Sequence, residues 1–462
     1  MEQNEVQKKK KGLFAFLAND LKEIGVTYKE GGLYTWLSTV IFGLASMARK
    51  QFLKGFALFA AECGLLYYII GFGWQYLTKI DTLGTVKTQK LADGTQQFGD
   101  NSFLILLYGI LTIFAIFFLL VLWRLNIKAS YLEMQELKAG RQLPGFKKSF
   151  ASLFDKHFDK TLLAIPVAGI FIFTVLPIIF MICIAFTNYD KNHQSPTNLF
   201  TWVGLENFKQ LFSVTDGLGS TFVTVLGWTL VWALFATFLN YFLGIGVAML
   251  INKKGIRFKK LWRTILVVTI AVPQFVSLLY ITKMFAGDGL INTYLLKWGW
   301  IDSAIPFWTN KWLARIMIIV INLWIGIPYL MLISTGILMN IPEDLYESAK
   351  IDGASGWQSF LHITMPYMLF VTGPYLLTSF IGNLNNFNVI FLLTKGGPTS
   401  MMLKDKAGYT DLLVTWLYKM TVDDTNYRMA AVLGITVFVV VAVISLVVYR
   451  LLPSVKDEEG FQ

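Results

Sequence analysis

Two apolar stretches of this chain carry carboxamides at spacings that could hold a polar ligand. Asn322, Gly326 and Tyr329 recur at i, i+4 and i+7, which puts them on one helical face. Farther on, Asn383, Asn385, Asn386 and Asn388 crowd into six residues. Read as one helix at about 100° per residue, Asn383 and Asn386 lie about 60° apart and the other two point away. An amide offers two donors and an acceptor, which suits sugar hydroxyls, and within a bilayer such groups must face a cavity or another helix. Asparagine also hydrogen-bonds between membrane helices, and periodicity leaves both roles open. Pro328 removes a backbone bond from the first of these helices and predicts a kink there.

Bond-breaking chemistry finds no local set of residues. No glycine is followed by lysine, which excludes a Walker A phosphate loop, so any ATPase must be a separate polypeptide. His157, His193 and His362 are scattered without zinc-ligand spacing, and no serine–histidine–acid or paired-carboxylate set stands out locally. Cys63 and Cys183 fall inside apolar runs and imply neither disulfide nor metal site. The chain reads as non-catalytic, with no metal or cofactor of its own.

Residues 342–366 form a polar helix–turn–helix between two long apolar segments. Pro342 suits the first helical position, where its missing N–H has no partner to lose. Glu343, Asp344 and Glu347 place negative charge near the positive end of that helix. Gly353 can take the left-handed conformation that ends the helix and turns the chain. Ser355 and Gln358 have capping-box spacing for a second helix, which runs toward Pro366.

The elements that position these groups are membrane helices. The chain is 55% hydrophobic and only 15% charged over 462 residues, outside the range of a soluble domain. Runs long enough to cross a hydrocarbon core of about 30 Å occur at eight places: 55–77, 102–123, 161–187, 222–250, 264–286, 316–338, 367–393 and 429–449. Only Glu62 and Lys283 carry a formal charge within them, and a charge at the bilayer centre costs at least ~2.5 kcal/mol. Lys283 lies near a helix end and snorkels; Glu62 reads as a structural residue paired with another helix or close to the interface. Residues 33–48 are apolar but short and flanked by Lys29, Arg49 and Lys50, so they read as an interfacial helix.

Orientation follows from where Lys and Arg collect. Lys8 to Lys11, the loop from Arg124 through Lys160, and the loop from Lys253 and Lys254 through Arg263 belong in the cytoplasm, which puts both termini and the 342–366 loop there. The net charge of +11 therefore serves orientation and attraction to anionic membrane lipid rather than nucleic acid. The first 30 residues lack the continuous apolar region of a cleavable signal.

The run Glu347, Ala349, Asp352, Gly353, Ala354, with Ile363 and Pro366 after it, resembles the EAA loop of the permease subunits of ATP-driven (ABC) importers. NLWIGIPY at 322–329, SFIGNLNNFNVIFLLTKGGP at 379–398 and AGYTDLLVTWLYKM at 407–420 are similar to the larger permease subunit of the maltose/maltodextrin importers, and AGYTDLL points most narrowly to that branch. The resemblance implies an all-α integral membrane protein of about eight spans with the type I importer permease fold. It implies an N-terminal region over 1–54, two extra helices and a basic loop over 55–160, a six-helix core over 161–450 with the coupling loop at 342–366, and a tail over 451–462. It further implies sugar contacts at Asn322, Ile325, Gly326, Tyr329, Asn383 and Asn386, with Ile270, Gln274 and Gly382 standing where the family has other residues. The implied partners are a second homologous permease, two ATPase subunits that bind ATP and Mg, and an extracellular sugar-binding protein. Residues 188–221 are too short for the large external domain of some relatives, which fits the lipoprotein-type binding protein of Gram-positive cells. Another oligosaccharide or glycerol phosphate as substrate, and an ion-coupled carrier, are the competing readings; an ion-coupled carrier would place ionisable groups in the membrane.

Overall fold

The computed structural model describes residues 21–90, 96–156, 158–195, 197–213, 217–253 and 255–451. Lys8 to Lys11, His157, Lys254 and the tail from 452 lie outside the described residues. Two compact units emerge: one of residues 1–183 and 192–202, the other of 184–191 and 203–462. Among the described residues seven helices are long and apolar enough to cross a membrane, and a bent pair makes an eighth.

The first unit contains α1 (Phe52–Leu77), α2 (Ser102–Lys138) and most of α3 (Phe158–Ala185). Its other regular structure includes a two-residue antiparallel ladder, Gln89–Lys90 with Gln96–Gln97. Residues 33–48 form two short helices, Gly32–Leu37 and Leu44–Ala48, neither able to span. They are pinned to α2 by hydrogen bonds to Asn126. Asn126 donates Nδ2 to the Ser38 carbonyl at 2.7 Å, and its Oδ1 accepts from the Gly43 N–H at 2.9 Å. Glu62 is buried, and its Oε2 accepts the Phe42 N–H at 2.7 Å, so this carboxylate fixes the connection between the short helices. The structural role expected of Glu62 is thereby given a partner, a backbone amide.

The second unit contains α4 (Leu218–Asn252), α5 (Lys259–Ala271), α6 (Gln274–Met284), α7 (Lys311–Leu338), α8 (Glu343–Ile351), α9 (Met365–Leu384), α10 (Phe387–Thr394), α11 (Leu413–Val422) and α12 (Tyr427–Leu451). Its core joins Trp228, Trp232 and Ala236 of α4 to Leu278 of α6, Ile318 of α7 and Val389 of α10. A second cluster holds Tyr241 and Ile245 against Leu330, Met365 and Met368. A Cβ on Gly326 of α7 would stand 2.6 Å from the Asn240 amide nitrogen of α4, so a glycine there lets the amide lie against the neighbouring helix.

Three sequence expectations need correction. The fifth span is no straight helix: α5 and α6 meet at 93° across Val272 and Pro273. A proline disfavours the α conformation in the residue before it, and Val272 accordingly is extended. Helix α7, by contrast, continues through Pro328. The seventh span is also interrupted, since α9 ends at Leu384 and Asn386 caps the separate α10. The angular reading of the asparagine cluster therefore spans a break and does not hold. Pro342, finally, precedes the first helical residue Glu343 rather than occupying that position.

Candidate functional site

A cavity of about 430 Å³ opens where the α5–α6 bend faces α7. Pro273 makes it, because redirecting the chain by 93° leaves a concave corner that a straight span would close. Gln274, at the start of α6, and Ile325, Gly326 and Tyr329, on α7, line this corner together with Ile270. The four named site residues are gathered here, and Thr269, Ser277 and Trp324 join them. Those three were not singled out from sequence; their one signal is that they are polar or aromatic in otherwise aliphatic runs. No charged side chain is among the lining residues.

Asn322, Gly382, Asn383 and Asn386 are not part of that lining. Asn322 is buried one turn before Gly326. Asn383 is half-buried, donating Nδ2 to Thr237 Oγ1 at 2.9 Å, while the Trp232 indole donates to its carbonyl at 3.0 Å. Thr237 sits in a π-helical turn, Phe235–Leu239, of α4. Asn386 Oδ1 accepts from the Val389 N–H at 3.3 Å, and its Nδ2 approaches Asn383 Oδ1 at 3.4 Å. These two amides thus form an interhelical network, while Asn385 and Asn388 are exposed. Asn240 was missed altogether: it is buried, donates to the Ala236 carbonyl, and leaves its Oδ1 without a partner against Gly326.

The polar loop has the capping geometry expected of it. Gly353 takes φ +78°; its N–H reaches the Lys350 carbonyl at 3.1 Å, and the Ala354 N–H reaches that of Ala349 at 2.9 Å. That pair of bonds is a Schellman motif, which satisfies the last carbonyls of α8. Ser355 and Gln358 form the full capping box. Tyr346 Oη lies 2.9 Å from Thr364 Oγ1, tying α8 to the π-helical turn Phe360–Thr364 that leads into α9. Glu347 is exposed, and so are Ile351 and Trp357, whose apolar side chains extend from an otherwise charged loop. Asp352, Gly353 and Ala354 edge a hollow of about 310 Å³ with Ala349 and His362.

The GGP and AGYTDLL segments lock onto each other at the other end of the α9–α10 span. The Tyr409 N–H donates to the Pro398 carbonyl at 2.9 Å, and the Thr410 N–H to that of Gly396 at 3.2 Å. Asp411 is fully buried and accepts from the Gly408 N–H at 2.7 Å, Thr415 Oγ1 at 2.8 Å and Lys419 Nζ at 2.6 Å. Burial pushes its carboxyl up from the usual range, and the Lys419 ammonium and the other donors pull against that shift. Arg315 caps the knot, donating to the Tyr409 carbonyl at 2.9 Å over the face of Trp228. The motif that pointed most narrowly to one branch is therefore a packing device.

Apolar helices broken at Pro273 and at Asn385, an uncharged cavity and an exposed capped loop are the architecture of a membrane permease. Residues 240–457 match the family model described as binding-protein-dependent transport system inner membrane component. The galactooligosaccharides transport system permease protein GanP of Bacillus subtilis (strain 168) is 36% identical over 430 residues, covering 91% of this chain and 98% of that protein. The maltodextrin transport system permease protein MalC of Streptococcus pneumoniae serotype 4 is 32% identical over 432 residues, covering 92% and 96%. A chain in the crystal structure of a bacterial ABC transporter involved in the import of the acidic polysaccharide alginate shares the fold, with a TM-score of 0.53 over 65% of this chain and 97% of that one at 22% identity. The chain belongs to the family of binding-protein-dependent transport permeases, as a larger, sugar-importer permease subunit of the ABC type, with no catalytic role.

Proposed function

We propose that this permease carries neutral oligosaccharides of the maltodextrin class, holding the sugar at the α5–α6 corner. The observation that carries the reading is the cavity itself, where Gln274, Gly326 and Tyr329 converge without any charged lining group. Its volume falls within the ~300–1,000 Å³ range of small-molecule pockets. A phosphate or a uronic acid calls for a cationic partner, which argues against glycerol phosphate and acidic sugars. Asn322 and Gly382 extend the path from Ile325 in the corner, and a sugar hydroxyl reaching Asn383 takes the place of the Thr237 hydroxyl, while one reaching Asn386 takes the place of the Asn383 amide oxygen.

Galactooligosaccharides are the second reading, because GanP is similar over nearly its whole length. Competition separates the two: unlabelled maltotriose should suppress uptake of a labelled maltodextrin far better than a galactotriose does. The reverse order would reassign the substrate.

The rest of the machine consists of a second homologous permease, two ATPases that bind ATP and Mg, and an extracellular sugar-binding protein, a lipoprotein in a Gram-positive cell membrane. Both termini and the 342–366 loop face the cytoplasm. Glu347, Ala349, Asp352, Gly353 and Ala354 present α8 to an ATPase cleft, with Ile351 and Trp357 as apolar anchors. Closure of the ATPases then moves α8, and the Tyr346–Thr364 bond passes that motion to α9 and its break at Asn385.

A further inference from the structure

A cavity of about 950 Å³ in the first unit lies between α1, α2 and the segment 141–156. Ala57 and Leu58 of α1 and Leu122 of α2 make one part of its lining aliphatic. Lys54, Glu133, Glu136, Arg141 and Lys156 bring charge to the other part, among the apolar side chains of Leu53, Leu132, Phe150 and Leu153. Leu122 and Glu136 are 14 residues apart on one helix, about 21 Å along its axis, close to the length of an extended acyl chain. A greasy slot with a charged mouth, built on two membrane helices, has the polarity of a phospholipid.

The charges at the mouth are unequal. Glu133 is buried and already matched twice, by Lys54 Nζ at 3.0 Å and by Arg49 Nη1 at 3.4 Å from behind. Arg141 and Glu136 pair at 3.3 Å, both largely exposed, a contact worth little and easily exchanged. Lys156 stands exposed at the rim. Cations are thus in excess, and the segment that follows α2 adds Lys147 beside exposed Phe146, Phe150 and Phe154, the composition of a strip lying at a membrane surface.

We infer that this cavity is a binding site for one anionic phospholipid, with its phosphate at Lys156 and Arg141 and an acyl chain along Ala57, Leu58 and Leu122. Basic pockets between membrane helices recognise acidic headgroups because each nearby Lys or Arg favours them, and an aliphatic floor adds chain burial that free phosphate could not use. The site is independent of which sugar the permease carries.

The test uses the full-length chain in neutral detergent, offered equal amounts of a phosphatidylglycerol and a phosphatidylcholine with identical chains, with retained lipid read by native mass spectrometry. The chain should retain phosphatidylglycerol about fivefold or more over phosphatidylcholine, the factor expected from one well-placed cation. Lys156→Glu should bring that ratio to about one, and Ala57→Trp, which fills the slot from an exposed position, should lower retention of both lipids. Lys253→Glu, the same charge change in the second unit, should alter neither. An unchanged ratio in Lys156→Glu, an equal fall in Lys253→Glu, or undiminished retention in Ala57→Trp would each overturn the assignment.

Discussion

Replacing Lys419 by methionine should cripple the protein's stability without touching its sugar preference. Lys419 is 8% exposed in its side chain and Asp411 is not exposed at all, so the variant strands a carboxylate with the Gly408 N–H and Thr415 hydroxyl as its remaining donors. Removing one member of a buried ion pair costs about 3–5 kcal/mol, because the charge left behind is uncompensated. For a cooperative unit of this size that corresponds to a fall in Tm on the order of 10 °C. Asp411→Asn in the Lys419→Met background should recover part of the loss, since two neighbours in one network are not additive. The assay pairs thermal unfolding of the purified chain in detergent with the half-saturation concentration for maltodextrin uptake, normalised to assembled transporter. Unchanged unfolding together with a shifted half-saturation would refute the reasoning and give the AGYTDLL segment a part in sugar handling.

Gly353→Pro and Glu347→Lys should both abolish uptake while the chain still reaches the membrane, the first because proline cannot take φ +78° and the second because it reverses charge on the face of α8 proposed to dock; co-purification of the ATPase with undiminished uptake would sink the coupling assignment. Topology can be read in a cysteine-free background: a cysteine at Met401, a fully exposed loop tip, should react with an impermeant thiol reagent added outside, and one at Gly255 should not. Asn386→Ala should lose about 1 kcal/mol of stability with its N-cap, whereas Asn386→Ser keeps an acceptor for the Val389 N–H, so that any transport defect shared by both variants at equal assembly belongs to the lost amide.

Helix existence was legible because roughly 20 apolar residues in a row admit few alternatives, and the turn and second cap of the 342–366 loop were legible because Gly353, Ser355 and Gln358 act locally. The breaks were not. Val272 and Pro273 sit inside a hydrophobic run that any hydropathy window averages over, and Asn385 lies in a stretch whose periodicity suits an unbroken helix. Direction, which makes the cavity, depends on how α5, α6 and α7 pack against one another. Asn240 escaped notice because its significance lies in a glycine 86 residues away, a contact that only the packed pair reveals. AGYTDLL stood out in the sequence only as a mark of resemblance, and burial shows that its Asp411 pairs with Lys419 inside the fold.

The central claim, that an uncharged corner at Pro273 holds the sugar, is tested most directly by removing its two longest polar arms. In transporter reconstituted with its binding protein at saturation, Gln274→Ala with Tyr329→Ala should raise the half-saturation concentration for maltotriose about tenfold or more, two hydrogen bonds of roughly 0.5–1.5 kcal/mol each being lost. Assembly and ATP turnover without sugar should stay as in the intact protein, and Tyr294→Ala, outside the cavity, should change nothing. A half-saturation equal to that of the intact protein in the double variant would place the sugar elsewhere in the membrane.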